Sequence, residues 1–243
     1  MNKRVLILGD GLLGKEIHNQ TNWPIISRSK HNFDLRSSKN WDAHLLNNFE
    51  GIMFSSKYDI IVNCMAHTDT YSSKKKLHWE TNVQGVKNLI DFCNKWSIKL
   101  VHISTDYAYA GNKLKTPTEN DVPIHAENWY SYTKVLGDAI IELLSNSYLI
   151  CRATHKPSPF PFKKAFTDRR GNFDYTPKIA SLLIKLISNH AKGIFNVGTE
   201  SKTIFELAKQ TNNTVIPTTL PPELPKDTSM DLSKLNKFLN TIK

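Results

Sequence analysis

The sequence is poor in cysteine. Of its 243 residues only three are cysteines, Cys64, Cys93 and Cys151, and they lie far apart. An odd, scattered set of cysteines fits neither a disulfide framework nor a zinc site. We therefore expect three reduced core residues and no bound metal.

Long apolar runs are also absent. The longest, such as residues 5–8, fall far short of the ~20 apolar residues that a membrane-spanning helix needs. The basic start of the chain resembles the beginning of a signal peptide, but Gly9 and Asp10 interrupt the apolar stretch that follows. No internal repeat is visible. These features predict a folded cytoplasmic protein without a membrane partner.

Acidic residues are outnumbered, with 22 Asp and Glu against 32 Lys and Arg and a formal net charge of +10. Such an excess favours anionic partners, which include nucleic acid, membrane surfaces and phosphorylated small molecules. The lysine clusters at residues 74–76 and 163–164 have no accompanying nucleic-acid motif and are better explained as solvated faces. We therefore expect no nucleic-acid partner.

Strand-like and helical segments alternate through the first two thirds of the chain. Short apolar segments predict strands at residues 4–8, 24–27, 58–64, 98–104 and 148–153. Helical spacing occupies residues 12–20, 78–96 and 129–144. This alternation predicts an α/β protein with a Rossmann-type, doubly wound parallel sheet.

The C-terminal third differs from the rest of the chain in residue composition. Three prolines within residues 157–161 precede a basic, aromatic stretch that is typical of a loop or a small domain. Further elements follow in a mixed order. We predict helices at residues 176–190, 203–211 and 231–239 and a strand at residues 193–197.

A glycine-rich turn follows the first predicted strand directly. Gly9, Gly11 and Gly14 form a G-x-G-x-x-G pattern, with Leu12 and Leu13 inside it, at the start of the first predicted helix. The first glycine permits a tight turn, the second lets the backbone approach a pyrophosphate, and the third lets helix and strand pack closely. In this context the pattern indicates a dinucleotide site, although a merely structural glycine turn is the alternative.

The end of the second strand bears on the choice of cofactor. NAD-binding proteins usually place an acidic residue there, because a carboxylate accepts hydrogen bonds from the ribose 2′-hydroxyl. Here Ser27 and Arg28 occupy that place and are followed by Ser29 and Lys30. A hydroxyl with cations suits a 2′-phosphate, which favours NADP(H) over NAD(H). The alternative is that Arg28 is an ordinary surface residue.

A tyrosine and a lysine are spaced for acid-base chemistry. Tyr130 and Lys134 lie one turn apart on the same face of a predicted helix, whereas Tyr132 has no lysine four residues on. A nearby cation stabilises a phenolate and should bring the tyrosine pKa closer to neutrality. Thr105, at the end of a predicted strand, offers a hydroxyl at the sheet edge where ligands bind.

Together these residues resemble an extended short-chain dehydrogenase/reductase, and several segments narrow the likeness to the dTDP-4-dehydrorhamnose reductases. Residues 102–111 (HISTDYAYAG) are similar to that family's STDYVFDG segment, and residues 61–68 (IVNCMAHT) to its VVNAAAYT segment. Residues 130–138 are similar to its YGxTKxxGE segment. Weaker matches extend the resemblance over most of the chain in the same order.

The resemblance implies roles for particular residues. Thr105, Tyr130 and Lys134 would form the catalytic triad of an NADPH-dependent reduction at C4 of a nucleotide-linked 4-keto-6-deoxy sugar. The same likeness implies cofactor contacts from Lys134 and from Asn63, Cys64, Ala66 and His67, with Asp34 and Leu35 near the adenine. It also implies substrate contacts from Thr105, Asp106, Tyr130 and Arg152.

The resemblance also divides the chain. Residues 1–153 would be the dinucleotide-binding domain, with the sheet completed by residues 176–211. Residues 154–175 and 212–243 would form a shortened C-terminal substrate-binding region, because about two dozen residues replace a longer family segment. Basic residues that could clamp a nucleotide diphosphate are Arg152, Lys163, Lys164, Arg169 and Arg170. A homodimer is compatible with this reading.

Two other functions remain open. Sugar-nucleotide epimerases and dehydratases of the same superfamily regenerate a tightly held NAD within one turnover, whereas Arg28 suits an exchanging NADP(H). A non-catalytic regulatory protein is the second alternative, since the superfamily includes a dinucleotide-binding regulatory subunit of methionine adenosyltransferase. The shortened substrate region favours this reading, and the presence of Thr105, Tyr130 and Lys134 speaks against it.

Overall fold

The fold was analysed in a computed structural model that describes residues 3–39, 41–49, 53–112 and 116–242. Its strands are β1 Val5–Leu8, β2 Ile25–Ile26, β3 Leu46–Phe49, β4 Met53–Ser56, β5 Ile60–Asn63, β6 Lys99–Ser104, β7 Tyr148–Ala153, β8 His155–Lys156, β9 Lys164–Phe166, β10 Arg170–Gly171, β11 Asp174–Tyr175, β12 Gly193–Val197, β13 Lys202–Thr203, β14 Ile216–Thr218 and β15 Asp227–Thr228. Its α-helices are α1 Leu12–Thr21, α2 Arg28–His31, α3 Trp41–Leu45, α4 Lys75–Trp79, α5 Gly85–Lys95, α6 Trp129–Leu144, α7 Thr176–Ser188, α8 Ile204–Lys209 and α9 Ser233–Thr241.

Six parallel strands form the central sheet, in the order β12-β7-β6-β5-β1-β2. All four residues of β1 and of β5 are buried, which is why these segments are apolar almost throughout. Strand order reverses at β1, which lies between β2 on one side and β5 on the other. A reversal of this kind opens a crevice at the carboxyl ends of the strands, where ligands of such sheets bind.

Helices cover both faces of the sheet, as the period-2 alternation of strand side chains requires. Val5 and Ile7 of β1 pack with α1 and α7 on one face, and α9 completes that layer. Leu6 and Leu8 pack on the other face with α3, α5 and α6. The predicted α/β class and doubly wound parallel sheet are thus confirmed.

Some elements differ from the sequence prediction. The helix expected at residues 78–96 is α4, a π-helical segment at Glu80–Gln84 and then α5. The second strand is only two residues long. An antiparallel ribbon of β3 and β4, which the sequence pattern did not indicate, follows α3. By contrast, the predicted bounds of α6, β7 and β12 agree with the structure.

The C-terminal third contributes both to the central sheet layers and to a separate group of short strands. α7 and β12 complete the central layers, with β12 pairing along β7. The short strands β8 to β11 and β13 to β15 pair among themselves beside the carboxyl end of the sheet. A small apolar cluster there includes Phe160, Phe173 and Tyr175 and also takes in α8, which therefore lies outside the central sheet layers.

None of the helices in the described ranges combines the length and the apolar character that crossing a lipid bilayer requires.

Candidate functional site

A cavity of about 1100 Å³ lies along the carboxyl ends of the central strands. Its walls come from the turns after β1, β2, β5, β6 and β7 and from the start of α6. Binding pockets commonly fall in the range of ~300–1,000 Å³, so this space suits a large ligand or two ligands side by side. Its lining includes the predicted residues Gly9, Gly11, Leu12, Leu13, Gly14, Ser27, Arg28, Asp34, Leu35, Cys64, Ala66, His67, Thr105, Asp106, Tyr130, Lys134 and Arg169.

The glycine turn forms part of the cavity wall. Gly9 has a φ of +101°, which side chains rarely tolerate, and a Cβ on Gly14 would lie 2.0 Å from the carbonyl oxygen of Gly9. A Cβ on Gly11 would meet no protein atom within 4 Å. Gly11 is also the N-cap of α1 and has no side chain with which to satisfy the first N–H groups of that helix. The turn therefore offers backbone N–H donors and open space, which fits a dinucleotide pyrophosphate.

Two arginines flank a carboxylate beyond the glycine turn. Arg36 forms a bidentate pair with Asp34, with Nη2 2.6 Å from Oδ2, and Nε of Arg28 lies 3.2 Å from the same oxygen. Hydrogen bonds from Arg36 hold the pKa of Asp34 below its usual value, and Arg28 acts in the same direction. The Arg28 side chain is 63% exposed and therefore remains accessible to a ligand. Arg36, which also lines the cavity, was missed by the sequence reasoning.

The wall formed by the turn after β5 is fixed by Asn82 of the π-helical segment. Asn82 accepts a hydrogen bond from the backbone N–H of His67 at 2.8 Å and donates to its carbonyl oxygen at 3.0 Å. It also lies 3.1 Å from the hydroxyl of Thr133 on α6.

Burial raises the pKa of the Cys64 thiol in this wall to about 12. Asn63 differs from the expectation, because its side chain is buried behind the wall and is not part of the lining.

Tyr130, Lys134 and Thr105 all line the cavity, and the side chains of Tyr130 and Thr105 are hydrogen-bonded to each other. Thr105, 4% exposed, follows β6, and its hydroxyl donates to Asp106 Oδ1 at 3.2 Å. Nζ of Lys134 lies 2.7 Å from the carbonyl oxygen of Ile103 and 2.8 Å from Nε2 of His102. The three side chains that the sequence predicted as a triad thus line one cavity, and the sequence prediction gave no role to His102.

The electrostatics of the tyrosine differ from the expectation. Burial raises the pKa of Tyr130 to about 12, and a hydrogen bond with Thr105 offsets this only in part. Burial also lowers the pKa of Lys134 to about 8. The expected approach of the tyrosine pKa to neutrality is thus wrong, because removal from water is the largest influence on this group. At neutral pH the phenol is protonated and can donate a proton.

Asp106 offers a free acceptor beside the triad. The hydroxyls of Thr105 and Thr154 both donate to its Oδ1, whereas its buried Oδ2 has no hydrogen-bond partner within the described chain. An unpaired buried carboxylate oxygen is unfavourable unless a ligand supplies a donor. Asp106 therefore suits a hydroxyl group of a bound substrate.

Arg152 does not reach the cavity, contrary to the expectation that it contacts substrate. Its side chain is 1% exposed and its Nε lies 3.0 Å from Oδ2 of Asp138. It also donates to the hydroxyl of Tyr109. Because β7 is an inner strand of the sheet, the guanidinium is directed into this buried pair. Arg152 therefore stabilises the packing of α6 on the sheet and does not contact the cavity.

The other basic candidates divide into two groups. Lys163, Lys164 and Arg170 are exposed and do not line the cavity. Arg169 is 5% exposed and lines the cavity, and its guanidinium carbon lies 5.1 Å from the centroid of the Tyr107 ring. Lys156 of β8 also lines the cavity. The sequence prediction missed it, although its position just past β7 is a signal that could have found it.

Comparison with known proteins places the chain in a family. Residues 3–155 match the model described as RmlD substrate binding domain. The chain belongs to the RmlD family. This is the extended short-chain dehydrogenase/reductase family that the sequence motifs indicated, and the predicted resemblance is confirmed.

Relatives of this RmlD-family chain include several reductases. It is 26% identical over 237 residues to the dTDP-4-keto-6-deoxy-D-glucose reductase of Streptomyces niveus, covering 87% of this chain and 78% of that protein. It is 31% identical over 156 residues to the spore coat polysaccharide biosynthesis protein SpsK of Bacillus subtilis, covering 57% of this chain and 54% of the relative. The match therefore spans only about half the length of SpsK.

Solved structures of the RmlD family share the fold. The dTDP-4-dehydrorhamnose reductase of Bacillus anthracis, solved in complex with NADP, aligns with a TM-score of 0.79 at 23% identity, covering 99% of this chain and 93% of the other. The Clostridium acetobutylicum enzyme aligns with a TM-score of 0.78 at 22% identity, covering 98% and 91%. The fold thus extends over nearly the whole of both chains.

Proposed function

We propose that this protein is an NADPH-dependent reductase of the 4-keto group of a nucleotide-linked 4-keto-6-deoxy sugar. The observation that carries the proposal is one cavity whose lining includes both the glycine turn and the side chains of Thr105, Tyr130 and Lys134. Relatives named as reductases of dTDP-linked keto sugars support this substrate class.

NADPH is the cofactor that the cavity suits best. Gly11 leaves room for a pyrophosphate at the N-terminus of α1, and Arg28 is accessible where a 2′-phosphate would lie. Because Asp34 is paired with two arginines, its charge is offset and repels a phosphate less than a free carboxylate would. The bound nicotinamide would supply the hydride.

The chain's own residues would manage the proton and the developing charge. Thr105 would donate a hydrogen bond to the substrate carbonyl oxygen, and Tyr130 would give its proton to the same oxygen as the alcohol forms. Lys134, one turn along α6, would stabilise the resulting phenolate electrostatically. Asp106 would accept a hydrogen bond from a sugar hydroxyl and so orient the ring.

Two cations that line the cavity outside the glycine turn and the triad suit the substrate's diphosphate. Lys156 and Arg169 both line the cavity, and Lys156 lies close enough to Arg169 and to Asp106 to interact with their charges. Burial, and then the nearby charge of Arg169, lower the pKa of Lys156. An anion bound here would relieve that repulsion, because it would attract both cations.

The reductase proposal is tested by offering the protein NADPH with dTDP-, UDP- and GDP-linked 4-keto-6-deoxy sugars and following the absorbance of reduced nicotinamide. We expect turnover with at least one sugar and its loss in Tyr130→Phe. The matched control is Tyr132→Phe, on the same helix but outside the cavity lining, which should keep its activity. NADPH binding without reduction of any sugar would instead favour a regulatory protein, and isomerisation without net oxidation of NADPH would favour an epimerase.

The cytoplasm is the location we propose for this activity. All three cysteines are free thiols, and Cys93 and Cys151 are buried in the core. Free thiols are compatible with a reducing compartment.

A further inference from the structure

His102 connects the catalytic lysine to the end of the neighbouring strand. It lies on β6, is 1% exposed and has a contact at each ring nitrogen. Nδ1 is 3.1 Å from Nδ2 of Asn63, at the end of β5, and Nε2 is 2.8 Å from Nζ of Lys134. Both contacts are buried, so an unpaired donor or acceptor in this hydrogen-bonded series of Asn63, His102 and Lys134 would be costly in free energy.

The backbone fixes the direction of the first contact. The N–H of Met65 donates to Oδ1 of Asn63 at 3.0 Å, which leaves Nδ2 of Asn63 facing the imidazole. An amide nitrogen only donates hydrogen bonds, so Nδ1 of His102 must accept. Turning the Asn63 amide over would set its NH2 group against the Met65 N–H, so that two donors would face each other. The neutral ring of His102 therefore carries its hydrogen on Nε2.

That tautomer has a consequence for Lys134. An ammonium group has three donors and no acceptor, so it cannot accept the hydrogen on Nε2 of His102. A neutral amine has a lone pair that can accept it, and one amine hydrogen can still be donated to Ile103. The network is fully satisfied only when Lys134 is uncharged.

The other groups around Lys134 shift its pKa in opposite directions. Burial is the largest influence and lowers the lysine pKa to about 8, while Asp138, one turn further along α6, and Cys64 raise it. Tyr130 lies one turn before Lys134 on the same helix. Burial, and then the charge of Lys134, hold the pKa of His102 well below its usual value, so the ring does not take up a second proton.

We propose that His102, oriented by Asn63, is a positioning residue that favours the neutral amine of Lys134 over its ammonium form. It thereby sets the pH at which the catalytic lysine of the free protein loses its charge. The contacts themselves are independent of the reaction, but the kinetic consequence rests on the proposed reductase function.

The tautomer can be measured without any substrate. Long-range ¹H–¹⁵N correlation spectra of the cofactor-free, ¹⁵N-labelled protein distinguish the two neutral tautomers from the imidazolium, and His102→Gln assigns the signal. We expect His102 to be neutral with its hydrogen on Nε2 from about pH 6 to pH 9, a range that spans the ordinary histidine pKa. A hydrogen on Nδ1, or an imidazolium in this range, would overturn the proposal whether or not the protein is a reductase.

The effect on Lys134 is measured from the pH profile of kcat/KM, which reports on groups of the free enzyme. In Asn63→Asp the carboxylate can accept from both Met65 N–H and a hydrogen on Nδ1, so that Nε2 becomes an acceptor for the ammonium. We expect the alkaline limb of the profile to move upward by about one pH unit or more.

A double-mutant cycle separates this tautomer effect from the added charge. If Asn63→Asp acts through the imidazole, most of its shift should disappear in the His102→Leu background. An equal shift in both backgrounds would show that charge alone moves the limb and would contradict the proposed role of His102. If no variant or wild-type protein turns over any sugar, the reductase proposal fails while the NMR result still decides the tautomer.

Discussion

Arg152 and Asp138 form an ion pair below the cavity, with Nε 3.0 Å from Oδ2 and both side chains 1% exposed. Ser104 donates to the same carboxylate oxygen at 2.9 Å. Since Asp138 lies one turn beyond Lys134 on α6, the pair fixes this helix against β6 and β7. Arg152, which was expected to contact substrate, instead supports the helix that carries Tyr130 and Lys134.

Removing one partner of this pair should destabilise the protein strongly. Arg152→Met leaves Asp138 buried without its counter-ion, and we expect a loss of ~3–5 kcal/mol in the free energy of unfolding, measured with a chemical denaturant. The double variant Arg152→Met with Asp138→Leu should lose less than the two single variants together. A stable Arg152→Met protein with a raised KM for the sugar would instead show that Arg152 contacts substrate.

The glycine turn offers a matched pair of alanine substitutions. Gly14→Ala places a Cβ 2.0 Å from the Gly9 carbonyl oxygen, so it should lower the thermal unfolding temperature. Gly11→Ala meets no protein atom, and its stability should change by less than about 1 kcal/mol. It should nevertheless bind NADPH at least ~10-fold more weakly in a fluorescence titration, because the Cβ enters the space proposed for the pyrophosphate. Unchanged NADPH affinity in Gly11→Ala would contradict this position for the cofactor.

Arg28 should determine the preference for NADPH. Arg28→Ala removes charge-assisted hydrogen bonds worth ~1.5–3 kcal/mol each, so NADPH should bind ~10–100-fold more weakly while NADH affinity changes little. Lys30→Ala is the control, since Lys30 belongs to the same short helix but does not line the cavity. Equal losses for the two cofactors would mean that the 2′-phosphate lies elsewhere.

Lys156 and Arg169 should act on the substrate and not on the cofactor. Lys156→Met and Arg169→Met should each raise KM for the nucleotide sugar ~10-fold or more and leave NADPH affinity unchanged, as expected for charged groups that contact a diphosphate. Lys163→Met serves as the control, because this exposed lysine lies outside the cavity lining. If the control and Lys156→Met raise KM equally, general electrostatic attraction explains the effect better than a local contact.

The features that sequence predicted well depend on local patterns. Gly9, Gly11 and Gly14 are separated by fixed short spacings between a strand and a helix, and Tyr130 and Lys134 are one helical turn apart, so each set is brought together by one element or turn. The doubly wound parallel sheet follows from the alternation of strands and helices.

The features that sequence missed depend on packing between distant segments. Whether Arg152 faces the cavity or Asp138 is decided by how β7 packs against α6, and the pairing of His102 with Asn63 requires β5 and β6 to be neighbours. Lys156 faces the cavity because β8 pairs with β11 beyond the sheet edge. No short spacing in the chain indicates the contacts of Arg152 and His102, whereas the position of Lys156 just past β7 could have indicated its place in the cavity wall.

The most direct test of the reductase proposal is the transfer of isotope from cofactor to sugar. The protein is supplied with a dTDP-linked 4-keto-6-deoxy sugar and with NADPH deuterated on one face or the other of the nicotinamide, and the product is examined by mass spectrometry and NMR. We predict that one labelled form places deuterium on the sugar's C4 carbon, and that Tyr130→Phe forms no such product. A sugar that remains unreduced, or a product without deuterium from either form, would contradict the proposed function.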